Sequence, residues 1–459
     1  MNARSVAFFA ITSLSWLALS GCQGSNTGGA LPSAGGRNAA VSGGKIVNWP
    51  EFRFDDHHTG VNPFENILTK KNAPMLQLAW QDQLGELVDY SSPAVVNGVA
   101  YIGSTDGRLW AYDANGCGQS LCSTPRWSST SLAQIMDSPT VANGFVYIGS
   151  QTSFNSNDGK LDVFSAAGCG QDVCPPLWQG LAGTDSILQS SPTVAAGTVF
   201  IGSYAGKLYA FDANGCGAPT CSPLWTAATG GSIESTATVA DKIVYIGSDD
   251  GYMYAFKARG CGSATCTPLW RGTLGYSIFD SSPAVVGGTV YIGSQHGVAA
   301  FSAQGCGQST CKPLWQAANS SDFFNGSPAV AGKHVYIGVE DGLDVYAAGG
   351  CDAAQCKPLW SDFGSGFQAA VVSSPTVAHG VVYAGRNTGE VLAWPEGRCG
   401  SSQCTNIWSG ATNDEIVSSS PTVVNGRLYI GSADKFYPSD AQGRLYVFAL
   451  PHGKETPAR

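Results

Sequence analysis

Charged side chains are scarce in this chain, which has 459 residues of which only 12% are Lys, Arg, Asp or Glu. Acidic residues outnumber basic ones by 33 to 24, and no stretch of the sequence concentrates the basic residues. A nucleic-acid partner requires a clustered basic surface, so the composition argues against nucleic-acid binding.

Long apolar runs are also missing, except for one from Val6 to Leu19 that ends in Leu19-Ser20-Gly21-Cys22. This run is too short for a membrane-spanning helix, so we predict a cleaved export signal over residues 1–22. The Leu-Ser-Gly-Cys sequence resembles a bacterial lipobox, in which the acylated Cys22 becomes the mature amino terminus. The alternative is an ordinary secretory signal in which this cysteine is incidental.

The residues after Cys22 suggest how the protein is held in the cell envelope. By resemblance to the lipoprotein sorting rule, Gln23 in place of Asp favours the outer membrane, on its periplasmic or surface side. Residues 23–45 are rich in Gly, Ser, Asn and Ala and are expected to form a flexible tether. We therefore expect an exported protein that contacts the membrane only through its lipid anchor.

A repeat of about 46 residues fills the rest of the chain, with a unit such as SSPAVVNGVAYIGSTDG at residues 91–107. The units share an anchor position, which is Pro93, Pro139, Pro192, Ala237, Pro283, Pro328, Pro375 and Pro421. A tryptophan also recurs at one position of the repeat, namely Trp80, Trp127, Trp178, Trp225, Trp270, Trp315, Trp360 and Trp408. Repeats of this length with several short strands are typical of β-propellers, in which recurring aromatics pack between blades.

Eight units predict an all-β fold, an eight-bladed β-propeller of four-stranded antiparallel blades over residues 46–450. Residues 451–459 form a carboxy-terminal tail. The last unit has no tryptophan strand after Phe448, whereas Trp80 precedes the first anchor. The strand around Leu76 to Trp80 should therefore complete the eighth blade and close the ring, which leaves no open sheet edge. We expect such a ring to be a monomer.

Fourteen cysteines besides Cys22 form seven C-x4-C pairs between the third and fourth strands of their units. The pairs are Cys117 with Cys122, Cys169 with Cys174, Cys216 with Cys221, Cys261 with Cys266, Cys306 with Cys311, Cys351 with Cys356 and Cys399 with Cys404. An exported chain meets an oxidising compartment, and an isolated pair cannot fill a tetrahedral metal site, so disulfides are favoured over metal binding. A six-residue ring contributes about 2 kcal/mol, so each disulfide mainly stabilises its own exposed loop.

The repeat core V-Y-I-G-S-x-D-G-x-L-Y-A-F-D-A resembles the pyrroloquinoline-quinone-type (PQQ-like) propeller repeat. The segment before the repeats resembles that of bacterial members of this group at Trp49–Arg53, His58–Pro63 and Asn72–Trp80. That superfamily contains quinoprotein dehydrogenases and also non-catalytic lipoproteins of the BamB type. The resemblance is specific for the fold and weak for the function, because the repeats encode sheet packing.

The resemblance to enzymes implies features that this chain lacks. Enzymatic quinoproteins are expected to carry two adjacent cysteines above the cofactor, a carboxylate base and a calcium site, and no two cysteines are adjacent here. We therefore expect no cofactor, no metal and no catalytic residue, but a non-catalytic scaffold that binds an envelope protein. A PQQ- and calcium-dependent alcohol dehydrogenase, and a binder of carbohydrates or small ligands at the channel mouth, remain as alternatives.

Variable residues at the start of each innermost strand are the candidate binding positions, because they should face the axial channel. Three residues before each anchor stand Tyr90, Met136, Gln189, Glu234, Asp280, Asn325, Val372 and Ser418, and Asp137 lies one place later in a shorter unit. These residues either form a binding site or simply hydrate the channel mouth. If a ligand binds, Asp137, Glu234 and Asp280 favour a cation or a basic segment.

Two further features are candidates for contacts. Asp55, Asp56, His57 and His58 form a dense cluster of potential metal ligands, but adjacent residues of an extended chain point to opposite sides, so a structural role is favoured. Longer turns at Gln151 to Asp158 and Ala433 to Gln442 interrupt two hairpins on one face of the ring. Such insertions contact ligands or partners in some repeat proteins and have no function in others.

Overall fold

The computed structural model describes residues 47–132, 134–152, 158–187, 189–295, 297–317, 326–363, 370–397, 400, 402–433 and 442–451. The chain divides into two units, Met1–Pro32 and Ser33–Arg459, and all described residues belong to the second unit. They form eight sheets of four or five strands. The prediction of an eight-bladed all-β propeller is confirmed.

Each blade contains an inner, a second, a third and an outer strand that run antiparallel to one another. The inner strands are Ala94–Val96, Thr140–Ala142, Thr193–Ala195, Thr238–Ala240, Ala284–Val286, Ala329–Ala331, Thr376–Ala378 and Thr422–Val424. The second strands are Val99–Ser104, Phe145–Ser150, Thr198–Gly202, Ile243–Gly247, Thr289–Ser294, His334–Val339, Val381–Gly385 and Arg427–Ala433. The third strands are Arg108–Asp113, Lys160–Ser165, Lys207–Asp212, Tyr252–Lys257, Gly297–Ser302, Gly342–Ala347, Glu390–Pro395 and Gly443–Ala449.

The outer strands close the ring as the sequence predicts. Blades 1 to 7 use Trp127–Ser129, Trp178–Leu181, Trp225–Ala228, Trp270–Thr273, Trp315–Ala317, Trp360–Phe363 and Trp408–Ala411. Blade 8 uses the amino-terminal strand Gln77–Gln83, which pairs antiparallel with Gly443–Ala449. Within the described part of the chain, the helical content is one 3₁₀ turn, Ala73–Met75, and no helix there has the length and apolar character needed to cross a membrane.

The C-x4-C loops, here called the staple loops, do more than close their own turns. Disulfides join Cys117 to Cys122, Cys169 to Cys174, Cys216 to Cys221, Cys261 to Cys266, Cys306 to Cys311 and Cys351 to Cys356. Cys404 is also disulfide-bonded, and Cys399 lies outside the described residues. Five loops supply a short fifth strand that pairs in parallel with the outer strand of the preceding blade: Val173–Cys174, Thr220–Cys221, Thr265–Cys266, Thr310–Cys311 and Gln355–Cys356. The staple loops therefore link neighbouring blades.

The second cysteine of each staple loop is buried, which corrects the interpretation of these disulfides. The expectation that a disulfide stabilises mainly its own exposed loop is wrong for Cys122, which is only 3% exposed and packs in the apolar core between blades 8 and 1. The amide of Cys122 also donates a hydrogen bond to the carbonyl of Gln81, in the outer strand of blade 8, at 2.9 Å. The equivalent cysteines are buried in the same way, namely Cys174, Cys221, Cys266, Cys311, Cys356 and Cys404. Each disulfide thus ties its loop to the core between two blades.

The tryptophans of the outer strands pack against the same loops. A Cβ atom at Gly260, next to the first cysteine of its loop, would lie 2.7 Å from the ring of Trp225 in the preceding blade. The φ of Gly260 is 74°, which also favours glycine. Blade 8 has no staple loop to cover Trp408, and here the indole nitrogen of Trp408 donates a hydrogen bond to the carbonyl of Leu76 at 2.9 Å. The amino-terminal segment thus covers the outer strand of blade 7.

A closed ring of hydrogen bonds runs around the axis, here called the hydroxyl ring. In each blade the amide of the residue before the anchor donates to the hydroxyl of the equivalent residue in the next blade, at 2.8 to 3.0 Å. The order is Ser92, Ser138, Ser191, Thr236, Ser282, Ser327, Ser374, Ser420 and back to Ser92. The anchor that follows is proline in seven blades, and proline has no N–H that would need a partner in this crowded centre.

Removal of one hydroxyl from the ring should destabilise the whole propeller. We expect Ser282→Ala to lower the free energy of unfolding by about 1–3 kcal/mol, because the buried amide of Thr236 loses its acceptor. Ser282→Thr is the matched control, since blade 4 already uses Thr236 at this position. Urea denaturation of the three proteins measures the difference, and equal stability of the wild type and Ser282→Ala would show that the ring bonds contribute nothing.

Candidate functional site

One face of the axial channel is closed by residues 49–62, here called the plug. The plug makes a main-chain or side-chain hydrogen bond to the second residue of the inner strand in every blade. That residue is valine throughout: Val95, Val141, Val194, Val239, Val285, Val330, Val377 and Val423. The partners in the plug are, in the same order, Trp49, Pro50, Glu51, Asp56, His57, Thr59, Gly60 and Asn62. The segment thus contacts all eight blades in order.

Buried ionisable groups hold the centre of the plug. Arg53 is only 2% exposed and donates to the carbonyl oxygen of Pro375 across the axis. Burial lowers the pKa of Arg53 to about 9, and burial together with the charge of Arg53 lowers the pKa of His58 to about 3. His58 is therefore neutral, and its Nδ1 lies 2.9 Å from the hydroxyl of Thr238. Because that hydroxyl donates to the carbonyl of Pro283, it accepts the hydrogen of His58 Nδ1.

The predicted cluster of potential metal ligands lies in this plug, and its side chains diverge. The imidazole of His57 is 45% exposed and pairs with Asp56 at 2.9 Å, whereas His58 points into the core. Asp55 accepts hydrogen bonds from the amide and hydroxyl of Thr59 at 3.3 and 3.5 Å. Across the described part of the chain, no three His, Cys, Asp or Glu side chains come together in a way that could hold a metal ion.

The opposite face of the channel opens into a small cavity of about 30 Å³, here called the mouth cavity. Its floor is Phe52 of the plug, whose ring meets that of His58 edge to face at 6.0 Å between centroids. Six of the eight predicted axial positions line it, namely Tyr90, Gln189, Glu234, Asp280, Val372 and Ser418, together with hydroxyls of the hydroxyl ring. The mouth cavity thus brings most of the variable positions together at one point.

Three predicted positions, Met136, Asn325 and Asp137, are not placed in the mouth cavity, and the side chain of Met136 is buried. Asn325 lies outside the described residues. Asp137 is fully buried and lies where most other units have serine, and its Oδ2 accepts a hydrogen bond from the amide of Gly149 at 2.7 Å. Ser91 does the same for the amide of Gly103 at 2.9 Å. The interpretation of Asp137 as a mouth residue is therefore replaced by a role inside blade 2.

The most unusual feature of the mouth cavity is a pair of carboxyl groups, those of Glu234 and Asp280. The two side chains form a hydrogen bond with one another, and none of their four oxygens has a hydrogen-bond partner outside the pair or is reached by solvent. Burial, followed by the charge of Asp249, raises the pKa of Glu234 to about 8. Burial, followed by the charges of Glu234 and Asp89, raises the pKa of Asp280 well above its ordinary value. At neutral pH the pair therefore shares a proton.

A larger groove of about 450 Å³ lies beside the plug on the other face, and nothing in the sequence predicted it. Its floor contains Val330 and Val377, and its walls contain Asp55, His379 and Glu396. The groove exists because the plug follows the inner strands of blades 5 to 7 and leaves space beside their hairpin turns. Sequence patterns could not show this, since the plug has no repeat periodicity.

The fold and the repeat define a PQQ-type propeller, and a comparison with family models identifies the family more closely. The model described as outer membrane protein assembly factor BamB matches residues 72–215, 175–305 and 261–435. These matches extend over most of the chain. The protein therefore belongs to this family, and the resemblance inferred from the repeat is confirmed. No curated protein sequence matches the chain significantly.

Solved structures agree on the fold but differ in function. BamB from Moraxella catarrhalis has a TM-score of 0.59 and 18% identity, with 82% of this chain and 98% of that one covered. A quinohemoprotein alcohol dehydrogenase from Comamonas testosteroni has a TM-score of 0.62 and 14% identity, covering 90% and 81%. A europium-containing methanol dehydrogenase has a TM-score of 0.63 and 14% identity, covering 88% and 98%. At such identities the likeness establishes the fold alone.

The mouth cavity does not fit the quinone cofactor that the dehydrogenases suggest. Ligands of that size occupy sites of roughly 300–1,000 Å³, about tenfold more than the space present. PQQ carries three carboxylates, and the lining residues provide the two carboxyls of Glu234 and Asp280 with no Lys or Arg. Like charges in a buried site repel one another, so the charge is also wrong for this cofactor.

The shared proton predicts a pH dependence of stability. Because the folded state holds this proton more tightly than the unfolded chain, the contribution of Glu234 to stability is lost as the pH rises from its ordinary pKa of 4.5 to about 8. Relative to Glu234→Gln, the wild type should lose on the order of 2 kcal/mol between pH 5 and 8. Urea denaturation across this range measures the loss. The exposed Glu86→Gln is the control, and parallel curves for wild type and Glu234→Gln would contradict the prediction.

Proposed function

We propose that this protein is a non-catalytic lipoprotein of the cell envelope, a scaffold that binds a protein partner through the face around the mouth cavity. The observation that carries the proposal is the mouth cavity itself, which is too small for a cofactor and bears uncompensated negative charge. The family to which the chain belongs is described as outer membrane protein assembly factor BamB, which agrees with a role in binding other envelope proteins.

The surface around the mouth cavity has the composition of a binding site. Tyr204 and Tyr276 are 37% and 44% exposed, which is high for aromatic side chains, and aromatic residues are enriched at protein interfaces. Burial raises the pKa of the Tyr204 hydroxyl, and the nearby charges of Glu234 and Asp249 raise it further. A combination of acids and tyrosines is complementary to a basic segment of a partner.

Crosslinking in growing cells tests the proposed surface. A photoreactive phenylalanine analogue at Tyr204 or Tyr276 should give one discrete adduct with an envelope protein, because these side chains are exposed on the face of the ring that bears the mouth cavity. The same analogue at His379, beside the groove on the plug face, should give none. Asp249→Lys should reduce the Tyr204 adduct several-fold, whereas Asp172→Lys in an exposed staple loop should not. Equal adducts from both faces, or none from Tyr204 and Tyr276, would contradict the proposal.

The lipid anchor is proposed on the sequence at Cys22, which lies outside the described residues. We expect Cys22→Ala to abolish incorporation of a clickable fatty acid and to move the protein from the membrane fraction to the soluble fraction, because a diacylated cysteine anchors stably. Ser20→Ala is the matched control. Continued labelling of the Cys22→Ala protein would show that lipid is attached elsewhere.

A further inference from the structure

The carboxyl pair of Glu234 and Asp280 is unusual among the described buried side chains, because all four of its oxygens lack a hydrogen-bond partner outside the pair. Glu234 is 2% exposed, and no group outside the pair donates a hydrogen bond to its oxygens or to those of Asp280. Buried polar groups are nearly always hydrogen-bonded in native proteins, so an unpartnered pair of carboxyls requires an explanation. Only a proton or a bound cation can neutralise it.

The charged and titratable groups around the pair offer no compensation. Asp89 approaches from the end of blade 8, Asp249 from the hairpin turn of blade 4 and Tyr90 from the start of blade 1, and each is acidic or neutral. The hydroxyl of Tyr90 forms a hydrogen bond with the side chain of Gln189. Tyr204 lies on the solvent side of Glu234. No Lys, Arg or His lines the cavity, so the cation must come from outside the described residues.

The size and the ligand set of the cavity restrict the kind of cation. Ca²⁺ and Mg²⁺ require about six to eight oxygen ligands, and the pair has no third carboxylate or histidine placed to join it among the described residues. A volume of about 30 Å³ holds a group about the size of a water molecule, which suits an ammonium head better than a planar guanidinium. An ammonium group also has three N–H donors, which match the unpartnered carboxyl oxygens.

We propose that Glu234 and Asp280 form a binding site for one primary ammonium group, and that the site releases its shared proton when this group binds. The proton passes to the solvent, and the ammonium takes its place between the two carboxylates, so the site carries one net negative charge in both states. A lysine side chain of the partner could supply the group, because its apolar stem can lie along Tyr204 while its head enters the cavity. The assignment to a partner's lysine rests on the proposed function, whereas the ammonium site does not.

Isothermal titration of the purified full-length protein with n-butylammonium tests the site without any partner. Measured in phosphate and in HEPES, which differ in ionisation enthalpy and contain no primary amine, binding at pH 7 should release up to one proton per amine. The affinity should rise by up to about tenfold per pH unit as the pH approaches 8 from below, because the proton competes with the amine. Glu234→Gln and Asp280→Asn should each reduce binding at least tenfold, and Glu86→Gln should bind like the wild type.

Matched ligands separate this proposal from its competitors. Butyltrimethylammonium has the same charge but no N–H donor, and it should bind at least tenfold more weakly than n-butylammonium. Equal binding of the two, preferential binding of Ca²⁺, or no heat from n-butylammonium at either pH 6 or pH 8.5 would overturn the ammonium site. Proton release is measured on the wild type, so the test stands even if a variant fails to fold. Binding of the amine without crosslinks at Tyr204 would refute the proposed function and leave the site intact.

Discussion

The hydroxyl ring is the constraint on which the rest of the propeller depends. Each amide before an anchor needs an acceptor from the next blade, and the eighth amide finds the first hydroxyl, so the bonds are satisfied only when the ring is complete. Because a buried amide without a partner costs about 1–3 kcal/mol, every blade depends on both of its neighbours. The geometry of this ring also sets the width of the channel, and therefore the size of the mouth cavity.

The plug and the staple loops stabilise the propeller at two distances from its axis. Near the axis, the plug links all eight inner strands through one continuous segment. At the periphery, a staple loop adds its short strand to the preceding blade, as Thr220–Cys221 does for Trp178–Leu181. Contacts between blades are therefore carried by main-chain hydrogen bonds as well as by tryptophan packing, which explains how a chain with few charged residues forms a stable ring.

Much of this architecture could be predicted from the sequence, because the repeat is regular. The blade number, the strand order and closure by the strand at Trp80 follow from periodicity. The plug could not be predicted, since residues 49–62 match no unit and are positioned only by contacts with blades far away in sequence. The burial of Cys122 was missed for a similar reason, because the core that covers it belongs partly to blade 8.

Errors at the candidate site also have physical causes. Asp137 was misplaced because it lies two residues before its anchor and not three, and this shift of one residue exchanges a channel position for a buried one. The approach of Glu234 to Asp280 depends on the angle between two blades, which the sequence does not encode locally.

The path of the plug has a consequence for the order in which the molecule can assemble. Residues 49–62 precede every blade along the chain and leave the ribosome before them, yet the last of their eight partners, Val423, lies 361 positions beyond Asn62. The staple loops close rings between cysteines only five positions apart, so they can oxidise while most of the chain is still being delivered. The centre of the propeller must wait for the carboxy-terminal blade, and such dependence on distant contacts makes folding slow. A chain of this kind stays open until it is complete, and until then the edges of its sheets are exposed.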